Sequence, residues 1–273
     1  MEKHTVSASL TDNTKYMNRA LPVKKSFDII ERNLIIGGQN SAFYFIDGFT
    51  KDETMLKLMD SFLNISADDM PEDATSFSTS CIPYVEVDIL GDFDSIFKNL
   101  LSGVTCLFID GYEAAIAIDC RTYPSRSIEE PDKDKSLRGS RDGFVETIVF
   151  NTALMRRRIR DPHLIMEMYE AGTSTRTDVA LCYMSDRVDR ELLTTIQNKL
   201  EESKSQDLKM SQQSLAESLF QRKWYNPFPK YKFTERPDTA CACLMEGKVI
   251  LLTDTSPSAL ILPTSIFDMI EEA

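Results

Sequence analysis

Arginines and carboxylates set among prolines and glycines are the chemistry-bearing feature of this chain. One run reads Arg138-Gly139-Ser140-Arg141-Asp142-Gly143-Phe144-Val145-Glu146 and leads into Asn151 and Arg156-Arg157-Arg158-Ile159-Arg160. A second reads Thr234-Glu235-Arg236-Pro237-Asp238, behind Asn226-Pro227-Phe228-Pro229, where the prolines hold the backbone extended. A guanidinium is a planar, permanently charged donor that suits a carboxylate, a phosphate or a partner's acidic loop. The same residues also satisfy plain electrostatics, with Asp142 and Glu146 at the positive start of a helix and the arginines at its negative end. Arg157 and Arg160 fall on the outer side and read as solvated charges. Asn151 and Arg158 read as members of a buried polar network. Arg236 is expected to bridge to a carboxylate of the first run, so that the two runs meet at the junction of two halves of the molecule. The candidate ligand-binding or signal-relay residues are therefore Arg138, Arg141, Glu146, Asn151, Arg158, Glu235, Arg236 and Asp238.

Catalytic motifs are missing. There is no Gly-x4-Gly-Lys phosphate loop, no Gly-x-Gly-x-x-Gly, no His-Glu-x-x-His and no Gly-x-Ser-x-Gly. The only histidines are His4 and His163, and no carboxylate pair stands out by spacing. Six cysteines sit mostly inside apolar runs and read as buried structural residues. Cys241-Ala242-Cys243 would put two thiols on one face of a strand, without a second pair at zinc spacing. The expectation is a non-enzymatic protein with no cofactor and no metal.

The elements that must position these residues follow from periodicity. Residues 1–26 read as a flexible N-terminal lead-in. Residues 42–46 form a short strand, and 52–64 a helix with Met55, Leu58, Met59 and Phe62 at helical spacing. The polar stretch 66–79 reads as loop. Residues 84–89 alternate like a strand, and 92–101 form a helix capped by Asp92 and ended by Gly103. Residues 105–109 and 114–119 are the arms of a hairpin turning at Asp110-Gly111. The charge-dense residues 126–143 are a connector.

A long helix, 144–160, opens the second half, and 162–169 would extend it after a break. Phe144, Ile148, Met155 and Ile159 share one stripe at ~100° per residue, with Asn151 inside it and Arg158 on its edge. A strand at 177–184, helices at 189–202 and 212–220, and a hairpin of 240–245 with 248–253 complete the chain. Matching Leu107–Gly111 to Cys243–Gly247, both halves run strand, helix, helix, hairpin, the pattern an internal duplication leaves. The expected fold class is α/β: two mixed α/β subdomains of similar architecture, 27–125 and 144–273. The Pro/Gly/charge-rich connector and the long junction helix join them.

Composition bounds the function. The chain has 273 residues, 42% hydrophobic and 27% charged, enough for a sizeable core. Its 43 acidic residues against 31 basic ones give a net charge of −12, which disfavours general binding to nucleic acid or an anionic membrane. No apolar stretch reaches the ~20 residues that span a bilayer, and the polar start lacks a secretory signal.

Together these motifs resemble a known family. The string runs from Glu130-Pro131 through Arg138-Gly139-x-Arg141-x-Gly143-Phe144-x-Glu146 to Asn151-x-x-Leu154-x-Arg156-Arg157-Arg158-Ile159. Pro227-Phe228-Pro229, Thr234-Glu235-Arg236-Pro237-Asp238 and Glu246-Gly247 follow, in an order and spacing similar to the A subunits of GerA-type spore germinant receptors. Ser140 stands where that family usually has Pro, Asp142 where it has Glu, and Lys230 where it often has Gln. The resemblance implies a hydrophilic N-terminal domain ahead of membrane spans, with this chain ending near where those spans would begin. It also implies B and C subunits as partners, a nutrient germinant (amino acid, sugar or salt) as the signal, and a place in the spore inner membrane with this domain on the core side. The two halves could close on a small molecule; the alternative is a scaffold for receptor assembly with no ligand of its own.

Overall fold

A computed structural model of the protein describes residues 4–50, 52–84, 86–123, 142–204, 212–219 and 231–264. Arg138, Arg141, the rest of the connector before Asp142, and the prolines at 227 and 229 lie outside the described residues. The chain divides into two compact units, Met1–Pro124 with Arg160–Pro162, and Ser125–Ile159 with His163–Ala273.

The first unit opens with α1 (Leu10–Ala20), followed by the hairpin β1 (Ile29–Ile36) and β2 (Gln39–Ile46). Helices α2 (Asp52–Leu63) and α3 (Ala74–Ser80), strand β3 (Val87–Leu90), helix α4 (Phe93–Leu101), and strands β4 (Thr105–Ile109) and β5 (Ala115–Ile118) complete it. The second unit holds α5 (Ile148–Arg158), β6 (Leu164–Ala171), β7 (Thr177–Met184), α6 (Arg190–Ser203) and α7 (Gln212–Leu219). It ends with β8 (Lys232–Thr234), α8 (Pro237–Met245), β9 (Val249–Thr253) and β10 (Ala259–Leu262).

Each unit contains one five-stranded antiparallel sheet, ordered β1-β2-β4-β5-β3 in the first and β6-β7-β9-β10-β8 in the second. Element order and sheet order are the same in both. So is register: Tyr44 pairs with Cys106 as Cys182 pairs with Ile250, and Asp88 pairs with Ala117 as Lys232 pairs with Ile261 in the matching ladder. The central strands β4, β5, β9 and β10 are buried along their whole length, which is why they read as unbroken apolar runs. Helices α2 and α3 cover one face of the first sheet around Phe43, Phe62 and Phe77; α6 and α7 cover the second around Leu181, Ile196 and Leu215. Two mixed α/β units of similar architecture are present.

Several expected elements differ. Residues 10–20 are not a lead-in: α1 buries Met17 completely, packs on β2 and β4, and is capped by Ser9 accepting from the amide of Asp12. The stretch 66–79 contains a short 3-10 turn at Ala67–Asp69 and then α3, capped by Asp73. Its Ser and Thr hydroxyls bond back to helical carbonyls, as Thr79 does to Thr75, so polarity alone misled there. Residues 164–171 form strand β6 rather than a helical extension, because eight residues of β7 pair with it. Residues 240–245 are the body of a helix. Pro237 at its first turn, Asp238 behind it and two alanines favour helix there, so Cys241 points inward while Cys243 is half-buried. Strand β9 accordingly pairs with β10, and Gly247 (φ +88°) ends α8 as Gly103 (φ +98°) ends α4. The correct match across the repeat therefore sets Gly103 against Gly247 and Asp110 against Asp254.

Candidate functional site

Helix α5 is shorter than its stripe suggested, beginning at Ile148, with residues 142–147 as a non-helical strap in front of it. The strap is tied down residue by residue. Phe144 donates its amide to the Glu235 carbonyl at 2.8 Å, and the Glu146 carbonyl accepts from the amide of Thr255 at 2.7 Å. The Asn151 side chain, fully buried, accepts from Val145 N at 2.8 Å and donates to Val145 O at 2.6 Å. Asp254 Oδ1 accepts the first amide of α5, from Ile148, at 3.1 Å. Thr147, at the N-cap, makes no side-chain cap bond, so Asp254 does the capping from a distant turn.

The second predicted run meets the first here. Arg236 grips Asp238 in two-point fashion, Nε to Oδ1 at 3.0 Å and Nη2 to Oδ2 at 2.6 Å. Arg158 donates from Nη2 to Asp142 Oδ2 at 2.9 Å and from Nη1 to the Leu154 carbonyl at 3.4 Å. Burial raises the Asp238 pKa, but the hydrogen bonds of Arg236 and of the Thr239 amide, with the charges of Arg236 and Arg158, outweigh it. The carboxyl is held below its usual range. Cys241, one turn along α8, is pushed up to about 12 by burial, so it remains a thiol and donates weakly to the Met155 carbonyl. The result is an alternating cluster, Asp142, Arg158, Asp238, Arg236, lying between the last turn of α5 and the start of α8. Its chemistry is a lock: charges paired, thiol inert.

Six of the eight candidate residues are described, all in the second unit: Arg158, Arg236 and Asp238 share the charged cluster, while Glu146, Asn151 and Glu235 bond along the strap. Glu146 and Glu235 contribute through backbone carbonyls, and the Glu146 side chain is exposed. Arg157, on α5, and Arg160, two residues past its end, are exposed. Sequence reasoning passed over Arg156, which is fully buried and donates to the Leu164 carbonyl at 2.9 Å, and over Asp254 and Asp142 as partners. The repeat held the signal for Asp254. In the first unit Asn13 clasps Ser7 through N and O at 2.9 and 2.6 Å, Asp110 accepts from Leu10 at 2.9 Å, and Gly111 N donates to Ala8 O. Asn13, Asp110 and Gly111 occupy the places of Asn151, Asp254 and Thr255.

Among the described residues, no helix is long and apolar enough to cross a membrane, and no group of three or more His, Cys, Asp or Glu is placed to hold a metal ion.

The architecture defines an α/β protein of two equivalent units, and that fold is shared with a solved structure. The crystal structure of the N-terminal domain of the A subunit of the Bacillus megaterium spore germinant receptor GerK3 superposes with a TM-score of 0.70 at 22% identity, over 97% of this chain and 99% of that one. The family model for the Bacillus/Clostridium GerA spore germination protein matches residues 15–273, and the chain belongs to that family. Relatives include the Stage V sporulation protein AF of Bacillus subtilis, 34% identical over all of this chain and 55% of that protein. Another is the Spore germination protein KA of the same organism, 29% identical over 94% of this chain and 47% of the relative. The chain thus spans about half the length of the curated relatives it matches. Membership supports a role in spore germination.

Proposed function

We propose that this chain is a non-enzymatic relay domain of a membrane-held germinant receptor subunit, passing the signal of a small nutrient germinant toward membrane spans that follow it. In this reading the B and C subunits of the same receptor are its partners, the spore inner membrane is its location, and the domain faces the core. Family membership and the GerK3-like fold support the setting. The observation that carries the relay is the strap: residues 142–147, at the end of the connector, are fastened to the turn before α8 and to the turn after β9 by bonds to Glu235 and Thr255 and clasped by Asn151, while Asp254 caps the helix that follows. A segment so fastened transmits displacement of the connector to two turns of the second sheet without slack.

The test is made in spores, with the full-length protein. Arg236→Ala and Asn151→Ala, the latter removing the side chain that clasps Val145 of the strap, should slow germination while the protein still accumulates, as read by optical-density loss and immunoblot. Normal germination in both variants overturns the relay. Loss of the receptor subunits from the spore membrane in either variant supports the scaffold alternative instead.

A further inference from the structure

The first unit carries a groove that the strap and lock do not use. It lies at the turn end of the sheet, between the Gly37-Gly38 turn of β1–β2, the segment Ala67–Glu72, and the turn Asp110–Tyr112 after β4, and encloses about 440 Å³. That volume suits a small molecule, for which sites run from ~300 to 1,000 Å³. The floor is fixed. Tyr112 is nearly buried and donates its hydroxyl to the Pro71 carbonyl at 2.5 Å, while Met70 lies so close over Gly37 that a Cβ there would sit 2.7 Å from its sulfur.

The groove's polar groups are of one kind. Glu72 and Asp110 bring carboxylates and Gln39 a carboxamide, and no Lys, Arg or His lines it. Asp110 spends Oδ1 on the amide of Leu10. Against this acidity stand the apolar surfaces of Met70, Pro71 and Tyr112. The repeat shows that this chemistry is particular to the first unit. In the second unit the equivalent of Tyr112 is Ser256, and the buried Gln212 accepts from Ser256 and Ser258 and donates to the Ser258 carbonyl, so the corner carries neutral amide and hydroxyl groups there.

We propose that this groove binds a compact organic cation, a primary ammonium compound with a short apolar body. The ammonium would sit between Glu72 and Asp110 and the body over Met70, Pro71 and the ring of Tyr112. The net charge of −12 favours cation approach over anion approach. This site is independent of the relay reading, which rests on the second unit.

The test uses the 273-residue chain and three probes: n-butylammonium, sodium butyrate and tetramethylammonium, titrated while backbone amide NMR shifts are followed. Saturable shifts at Gly37, Gly38 and Gly111 are expected with n-butylammonium, weaker ones with tetramethylammonium and none with butyrate. Glu72→Gln should weaken n-butylammonium by about fivefold, the value of one partly exposed ion pair. Ala67→Trp, at an exposed position facing Gly38, should abolish binding by filling the groove with the melting temperature unchanged. Shifts scattered over the acidic surface, or shifts at the three glycines that survive both variants, would overturn the site. So would the absence of any saturable shift.

Discussion

Asp254 Oδ1 accepts the amide of Ile148 at 3.1 Å from 106 residues away, and in the first unit Asp110 makes the same bond to Leu10 at 2.9 Å. A helix N-terminus has orphan amides that a local Ser, Thr or Asp usually satisfies. Here the capping group comes from the turn after the central strand, so capping the helix and closing the sheet are one event. Asp254→Ala should therefore cost about 1 kcal/mol, as loss of a cap does, and raise amide exchange at Ile148 in particular. Unchanged exchange there would show that another group takes over.

Asn151 and Asn13 carry the larger cost. Each is buried and satisfies both backbone groups of a residue six positions earlier. Alanine at either position strands a buried donor and acceptor, and a loss of about 1–3 kcal/mol is expected from urea unfolding midpoints. Arg157→Ala and Arg160→Ala, both at exposed positions, should change stability by ~0.5 kcal/mol or less. Equal midpoint shifts at all four sites would contradict the burial pattern.

Asp238 gives the lock a pH signature. Its folded pKa is depressed, so its contribution is fully present above the unfolded value of about 3.9 and is lost as pH falls through the lower folded value. The stability gap between the wild type and Asp238→Asn should then be widest near neutrality and close in acid. A gap that widens on acidification would reverse the assigned sign.

Met17 tests whether the N-terminal residues belong to the fold. It is fully buried on α1, and Met17→Ala should destabilise by about 2–5 kcal/mol through lost burial and the cavity left behind. A negligible effect would return residues 10–20 to the status of an appendage.

Gly103 closes α4 at φ +98°, and a Cβ there would lie 2.4 Å from Phe49 Cδ2. Gly103→Ala should cost about 2 kcal/mol or more, from backbone strain and the displaced ring together. A thermal midpoint matching the wild type would mean that the ring moves aside freely.

Much of this was already written in local sequence. The α2, α4, α6 and α7 helices carry apolar residues at helical spacing, Asp92 caps where expected, and residues 177–184 form a strand as their apolar run indicates. The arginine-rich motifs identified the family, and three of the residues they marked, Arg158, Arg236 and Asp238, share one charged cluster. What local sequence could not decide was pairing. Leu164–Ala171 has side chains equally at ease in a helix, and it is a strand because β7 offers eight partners. Ala240–Met245 is apolar enough for a strand, yet Pro237 and Asp238 start a helix there, and β9 takes β10 instead. Asn151 showed itself as polar within an apolar stripe, but its partner Val145 and the remote cap Asp254 emerged only when the chain closed on itself. Propensity and periodicity are sums over neighbours in sequence, whereas sheet order, remote caps and ion-pair partners depend on which surfaces meet after burial is complete.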